Sequence, residues 1–232
     1  MTTTKLPVIC SSVTGQSRPL PVEIDHAVIA GWTGRDPAAV QEHIVELQAL
    51  GVTPPQTTPE FYRISASRLT TASAIQSLGA ASSGEAEALL IKHGGELFVG
   101  VGSDHTDRDL EAHSVRASKQ ICDKPVAPEV WLYSDVHNHW DDLILRSFIT
   151  VHGQRVGYQE GKVSVLRHPD DLMNKYCGGP DGLADGSLMF CGTCPVIGGV
   201  RPSAHFEIEL EDPILDRRLL HSYEVTALPD GS

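Results

Sequence analysis

Apolar residues in this chain recur mostly in short runs bounded by Gly, Pro, Asn, Asp and Ser, a pattern of strands joined by turns rather than of helices. Segments 22–30, 61–64, 86–91, 96–101, 130–136, 143–151, 187–191, 205–210 and 219–227 read as strands, segment 157–165 as a hairpin and 70–83 as a loop. Helical spacing is clear in one place. Val40, Ile44, Leu47 and Leu50 form a stripe, with Asp36 suited to cap it, Pro37 to the first helical position and Gly51 to the C′ position. A second, shorter helix fits 168–176. The expectation is a single α+β domain over residues 1–232, rich in antiparallel strands, with a polar leader over 1–20.

The runs 86–91 and 96–101 flank Lys92-His93-Gly94-Gly95, which predicts a β-hairpin. Glu85 and Glu87, two residues apart, point to one face. With His93-Gly94 as the central turn residues, Ser83 faces Asp104 and Glu85 is diagonal to it. With Gly94-Gly95, Glu85 faces Asp104 directly. Either register gathers Glu85, Glu87 and Asp104, and three like charges at ~5–8 Å repel unless protons or a cation intervene. An all-carboxylate set suits a hard ion, Mg²⁺ or Mn²⁺, and Ca²⁺ less specifically. The competing reading is an E-x-E that lines the wet face of a strand, as in His205-Phe206-Glu207-Ile208-Glu209-Leu210.

Composition narrows the classes. The chain carries 18 Lys and Arg against 30 Asp and Glu, a net charge of −12, with no basic stripe, so nucleic acid is not an expected partner. No apolar run approaches the ~20 residues of a membrane span, and the first residues lack the pattern of a signal peptide, so no membrane partner and a cytoplasmic location are expected. The five cysteines, an odd number, fit reduced thiols. Cys191 and Cys194 make a C-x-x-C, but the Gly- and Pro-rich segment that follows cannot start the helix a redox pair needs. His137-Asn138-His139-Trp140-Asp141-Asp142 is the densest His and Asp cluster. An H-x-H can ligate zinc, yet no further ligand stands at ligand spacing, and a loop or interface histidine pair is the plainer reading. His43 and Glu46, at i and i+3 beside the helical stripe, can meet, as surface pairs often do.

Several of these segments resemble the fumarylacetoacetate hydrolase superfamily. Ser103-Asp104-His105-Thr106-Asp107-Arg108-Asp109-Leu110-Glu111 resembles its N-D-x-[ST]-x-R-D-L-Q signature, with Glu111 in place of Gln. Lys119, ahead of Pro125-Val126-Ala127-Pro128, stands where that superfamily has the lysine of G-K-s-F-d…P-x-G-P. Gly34-Arg35 followed by His43-Ile44-Val45-Glu46 matches parts of G-R-N-Y-x-x-H-x-x-E, without the Asn-Tyr and with about three more residues before the His. Phe61-Tyr62-Arg63-Ile64 looks like F-[FL]-K-P, and Gly192-Thr193-Cys194-Pro195 like T-G-T-P with Cys194 inserted. The resemblance spans about residues 30–225 and looks closest to an uncharacterised bacterial branch.

That resemblance implies a mixed β-roll or β-sandwich with few helices, with 30–83 supplying a lid helix and entry segment and 84–227 the metal-binding core, usually as a homodimer or higher oligomer. It implies that Glu85, Glu87 and Asp104 hold the metal, that His43 oriented by Glu46 activates water, and that Lys119 stabilises negative charge on oxygen. Arg35, Arg63, Arg108 and Thr193 are the implied substrate contacts. The implied reaction is C–C hydrolysis of a small 2-oxo or 1,3-dicarbonyl acid through an enolate. A lyase on the same site (decarboxylase, hydratase or dehydratase) and a non-catalytic metal-stabilised binding protein are the alternatives.

Overall fold

The computed structural model describes residues 3–49, 54–179 and 182–229. In chain order the main elements are β1 (Thr4–Ser11), β2 (Ser17–Ile24), β3 (His26–Gly31), α1 (Pro37–Ala49), β4 (Glu60–Ile64), β5 (Ala74–Leu78), β6 (Ala86–His93), β7 (Glu96–Ser103) and α2 (Val115–Ile121). There follow β8 (Glu129–Leu132), β9 (Ile144–Val151), β10 (Gln154–Lys162), α3 (Pro169–Cys177), β11 (Ser187–Thr193), β12 (His205–Asp212) and β13 (Arg217–Leu228). Strands β2-β1-β8-β7-β6-β11-β3-β4 make an eight-stranded mixed sheet, and β10-β9-β12-β13-β5 make a five-stranded one.

The central hairpin β6–β7 explains why its strands are so apolar. Alternate residues feed two different cores: Ala86, Ala88 and Leu90 join Leu145, Ile208, Leu210 and Leu219 of the five-stranded sheet. Leu89 and Ile91 join Leu6, Val22, Ile24, Tyr62 and Ile64. Both edges of the larger sheet thus contribute to one cluster, so the sheet curls around it while the second sheet covers its other face. A strand buried on both sides reads as a continuous apolar run rather than an alternation. This is the expected α+β architecture of rolled, packed sheets with few helices.

Some elements differ from expectation. Residues 4–24 are not a polar leader but a hairpin, β1–β2, in which Leu6, Val8 and Cys10 alternate inward and β1 pairs parallel to β8. Pro7 and the Ser- and Thr-rich flanks mask that alternation. The loop expected at 70–83 contains β5, which pairs parallel to β13. Strand 130–136 ends at Leu132, where Tyr133–Val136 turns helical. The hairpin placed at 157–165 is instead β9–β10, turning at His152-Gly153, both at positive φ. Leu50, Gly51, Pro180 and Asp181 lie outside the described residues.

Candidate metal centre

Gly94 and Gly95, at φ +60° and +79°, form the two-residue turn of β6–β7, and His93 pairs with Glu96. Positive φ at both positions is what glycine supplies at no steric cost. Counting back along the ladder sets Ala86 against Ser103, and the Asp104 amide then donates to the Glu85 carbonyl at 2.9 Å. Of the two registers, this is the one that faces Glu85 with Asp104. Carboxylate oxygens of Glu85, Glu87 and Asp104 all fall within 4.8 Å of one another.

Each carboxylate is held by a different part of the chain. Glu87 Oε2 accepts the Gly192 amide at 2.7 Å. Gly192 sits at φ +100°, and a Cβ there would lie 1.8 Å from Thr33 Oγ1, so only glycine lets this amide reach Glu87. Glu85 Oε1 lies 3.0 Å from Arg108 Nη2. Arg108 is itself clamped, with Nε donating to Ser83 Oγ at 2.7 Å and Nη1 to Glu111 at 2.7 Å. Asp104, fully buried, accepts from Lys119 Nζ through Oδ2. Lys119 sits on α2, which Ser114 caps at the Ala117 amide.

The charges divide unequally. Burial, then the Asp104 and Glu85 carboxylates, push the Glu87 carboxyl well above the usual range against the pull of Lys119. Burial would raise Asp104 too, but Lys119 and Lys124 outweigh it and hold that carboxyl below its ordinary value. Lys119 is shifted up: burial opposes its charge, and Asp104 and Glu85 overcome that. His105 is forced down to about 3 by burial and then by Lys124 and Arg108, so it stays neutral. It hydrogen-bonds Ser82 Oγ at 2.9 Å and Tyr223 Oη at 3.1 Å, a floor beneath Asp104.

Two buried atoms of the cluster make no hydrogen bond: Arg108 Nη2, in its ion pair with Glu85, and one oxygen of Asp104. Asp104 Oδ1 is buried and has no hydrogen-bond partner, with Lys124 Nζ at 3.5 Å. An unsatisfied buried carboxylate oxygen is costly. Together with a Glu87 that must otherwise keep a proton, it makes this oxygen-only set fit a hard divalent cation.

Thr193 pairs with Glu87 in the ladder, beside the triad, while His43, Glu46, Arg35 and Arg63 make no hydrogen bond or ion pair to it. His43 and Glu46 meet on α1, Nδ1 to Oε2 3.6 Å, but are 60 % and 68 % exposed and outside the hydrogen-bonded cluster. Trp32, whose ring is 5.9 Å from that of His43, donates Nε1 to Tyr62 Oη at 3.1 Å. Arg35 forms a bidentate pair with Asp141, 2.7 Å on each arm. Arg63 donates to the Ala27 carbonyl at 3.3 Å and reaches Tyr176 Oη at 3.5 Å. Thr193 Oγ1 donates to the Ala86 carbonyl at 2.8 Å and accepts from Gln159 at 2.7 Å. Two residues beside the site escape the motifs: Lys124, fully buried beneath Asp104, and Arg201, which shares a cavity of about 490 Å³ with Ala81, Arg108, Asp109, Glu111, Val200 and Pro202. A lone lysine in the short β-run before Pro125 was the only signal for the first, and nothing local marks the second.

No curated protein matches the sequence. Solved structures match with high coverage. A protein from Oleispira antarctica, provisionally described as a fumarylacetoacetate isomerase/hydrolase, is 16 % identical with a TM-score of 0.66, covering 94 % of this chain and 99 % of its own. A fumarylpyruvate hydrolase, also a provisional description, from Burkholderia cenocepacia is 18 % identical, TM-score 0.62, covering 99 % and 98 %. A 2-keto-3-deoxy-D-arabinonate dehydratase complexed with magnesium and 2,5-dioxopentanoate is 16 % identical, TM-score 0.63, covering 91 % and 77 %. At these identities the likeness speaks for the fold. The family model described as "Protein of unknown function (DUF2848)" matches residues 30–223. The chain belongs to that DUF2848 family, and its fold is that of the fumarylacetoacetate hydrolases.

Proposed function

We propose that this protein is a divalent-metal-dependent hydrolase that cleaves a C–C bond in a small 2-oxo or 1,3-dicarbonyl acid through an enolate. The observation that carries the reading is the buried Glu85, Glu87 and Asp104 triad with the Lys119 ammonium hydrogen-bonded to it. Glu85, Glu87 and Asp104 would hold Mg²⁺ or Mn²⁺, which would supply Lewis-acid polarisation of a substrate carbonyl. Lys119, whose charged form, opposed by burial, the Asp104 and Glu85 carboxylates favour, offers a positive group where negative charge develops on oxygen.

Arg108 donates to Ser83 and Glu111 and pairs Nη2 with Glu85 at 3.0 Å, so it fixes Glu85 while lining the cavity. Arg201, across the same cavity, donates Nη1 to the Ile197 and Gly199 carbonyls but has no carboxylate partner among the described residues, and is the cation offered to a carboxylate at the far end of the substrate. In the hydrolytic step His43, oriented by Glu46, removes a proton from water. The water oxygen bonds to the carbonyl carbon, and the electron pair of the breaking C–C bond becomes the enolate, which is then protonated on carbon.

A second reading is favoured by one observation: His43 and Glu46 are exposed and make no contact with the triad. A lyase needs the enolate machinery but no such dyad. It would decarboxylate, hydrate or dehydrate a 2-oxo acid at the same carboxylates, as the name of the dehydratase of like fold illustrates. The experiment is incubation with Mg²⁺ or Mn²⁺ and a panel of acylpyruvates, fumarylpyruvate-like diketo acids, oxaloacetate and 2-oxo-3-deoxy sugar acids, with products identified by mass. Cleavage into two acids, lost in His43→Ala, supports the hydrolase. CO₂ release, or gain or loss of one water with the carbon chain intact, replaces it with the lyase. No turnover of any member would favour a metal-stabilised binding protein. A homodimer or higher oligomer and a cytoplasmic location belong to the same proposal. Among the described residues no helix is long and apolar enough to cross a membrane.

A further inference from the structure

The H-x-H at His137 and His139 does not form one site, because the backbone breaks from helical geometry at His139 (φ −131°, ψ 26°). His139 turns to Asp212, Nε2 to Oδ1 3.0 Å. His137 instead meets two residues from the start of α3, His168 and Asp170, which its sequence neighbours gave no reason to expect. Asp170 Oδ2 lies 2.9 Å from His137 Nε2 and 3.5 Å from His168 Nδ1, and one ligand atom from each of the three residues lies within 4.8 Å of the others.

The geometry points to a second cation site at His137, His168 and Asp170, separate from the carboxylate triad and suited to a borderline-soft divalent transition ion such as Zn²⁺. The spacing supports it. Zinc bonds of ~2.0–2.1 Å at tetrahedral angles put neighbouring ligand atoms about 3.3 Å apart, near the 2.9 Å between His137 Nε2 and Asp170 Oδ2; His168 Nδ1, 3.5 Å from that oxygen, also accepts the Asp170 amide at 3.3 Å, a cap that binding an ion through Nδ1 would release. An ordinary ion pair needs one imidazole on a carboxylate oxygen. Here a second imidazole, His168, stands 3.5 Å from the same oxygen while capping the Asp170 amide, with the two ring planes 89° apart and their centroids 5.5 Å apart.

The surroundings are those that hold ligands in place. Tyr133 Oη donates to the other Asp170 oxygen at 3.0 Å, leaving Oδ2 toward the imidazoles. Tyr133 and Trp140 pack edgewise on His137 and His168, at 5.3 and 6.2 Å. The other charges nearby are already matched: Asp141 by Arg35, and Asp171 by Arg167 and Lys175. His137 also lines a cleft of about 460 Å³ with Glu96, Leu97, Leu132, Tyr133 and Ser134, which gives an ion entry and room for a fourth ligand. Two nitrogens and one oxygen select a softer ion than three carboxylates do, so the two sites sort metals by donor chemistry. Nor do they share a residue, a hydrogen bond or an ion pair among the described residues.

The test is calorimetric titration of the full chain with Zn²⁺ in a saturating background of Mg²⁺, repeated with Co²⁺ to read coordination from its visible absorption. His168→Asn is the informative variant, since Asn keeps the cap of α3 while removing the imidazole. Wild type should show one saturable Zn²⁺ site that His137→Ala and His168→Asn each weaken at least 100-fold, with unchanged circular dichroism. Glu87→Gln and Cys177→Ser should retain it. Zn²⁺ binding unaltered by both histidine variants, or no saturable micromolar site in wild type, overturns the assignment.

Discussion

Glu87→Gln is the substitution that isolates the metal hypothesis from the fold. Glu87 is buried, and its carboxyl is pushed up by burial and by Asp104, so without a cation it favours the neutral form. Gln has the shape of that neutral form and can still accept the Gly192 amide, which now lies 2.7 Å from Oε2. The metal-free protein should therefore tolerate the change. A unit charge pair at 4 Å is worth ~4 kcal/mol at an effective dielectric of 20, and a divalent ion doubles it. Against this, wild type must release the Glu87 proton, at about 1.4 kcal/mol for each pH unit below its pKa. Discounted two- to three-fold for context, the ion–carboxylate attraction is about 3 kcal/mol, so at a pH above the Glu87 titration, where no proton need be released, the variant should bind Mg²⁺ or Mn²⁺ roughly 100-fold more weakly.

The proton adds a second readout. Wild-type affinity should rise with pH through the Glu87 titration and that of the variant should not. Calorimetry in buffers of different ionisation enthalpy should show proton release only in wild type. The same shift fixes a sign for stability. Because the folded pKa is raised, the contribution of Glu87 is fully present below the unfolded value of ~4.3 and is lost as pH rises through the folded one. Metal-free wild type should thus lose Tm as pH rises from the unfolded value of ~4.3 to the raised folded one, and Glu87→Gln should not. Equal Mg²⁺ affinity in both proteins, with no proton released by either, would refute the reasoning.

Lys119→Met should remove the fixed positive charge, lowering turnover of any substrate about 10²- to 10³-fold. It should also cost several kcal/mol in urea unfolding, because Asp104 loses a buried partner; unchanged kcat would show that Lys119 is structural. Gly192→Ala, which meets Thr33 Oγ1 and a strained φ, should lower both Tm and metal content, and wild-type values for both would contradict the geometry. Cys191→Ser/Cys194→Ser should keep metal content and activity, since burial raises both thiols well above the reactive range and both are free. Loss of a stoichiometric zinc ion in that variant would reverse this.

What the sequence made legible was what local spacing controls. The triad followed from E-x-E, a glycine turn and strand periodicity, and Gly94-Gly95 selected the register between two that were open. Strands β9, β12 and β13 and helix α3 likewise carry their own periodicity and turn signals. Long-range charge was not legible. Lys124 lies fully buried beneath Asp104, a pairing set by the return of the chain after α2 and not by any spacing. The same burial makes Asp104→Asn a poor test, because it strips Lys119 and Lys124 of their shared carboxylate and weakens fold and metal site together. Arg35, Arg63, Arg108 and Thr193 illustrate the converse: residue type suggested substrate contacts, while the structure gives each of them protein partners.

The central claim is that Glu85, Glu87 and Asp104 hold a cation that makes a 2-oxo acid enolise. Enolisation precedes or follows every reaction considered for this site, so it can be measured before the substrate is known. Proton NMR of 2-oxo acids such as pyruvate and 2-oxobutyrate, incubated with the protein and Mg²⁺ or Mn²⁺ in D₂O, reads exchange at the carbon beside the oxo group. The account predicts exchange above the protein-free rate that requires the metal and falls at least tenfold in Glu87→Gln. Exchange that is indifferent to metal and to Glu87, or absent with every acid tried, would contradict it.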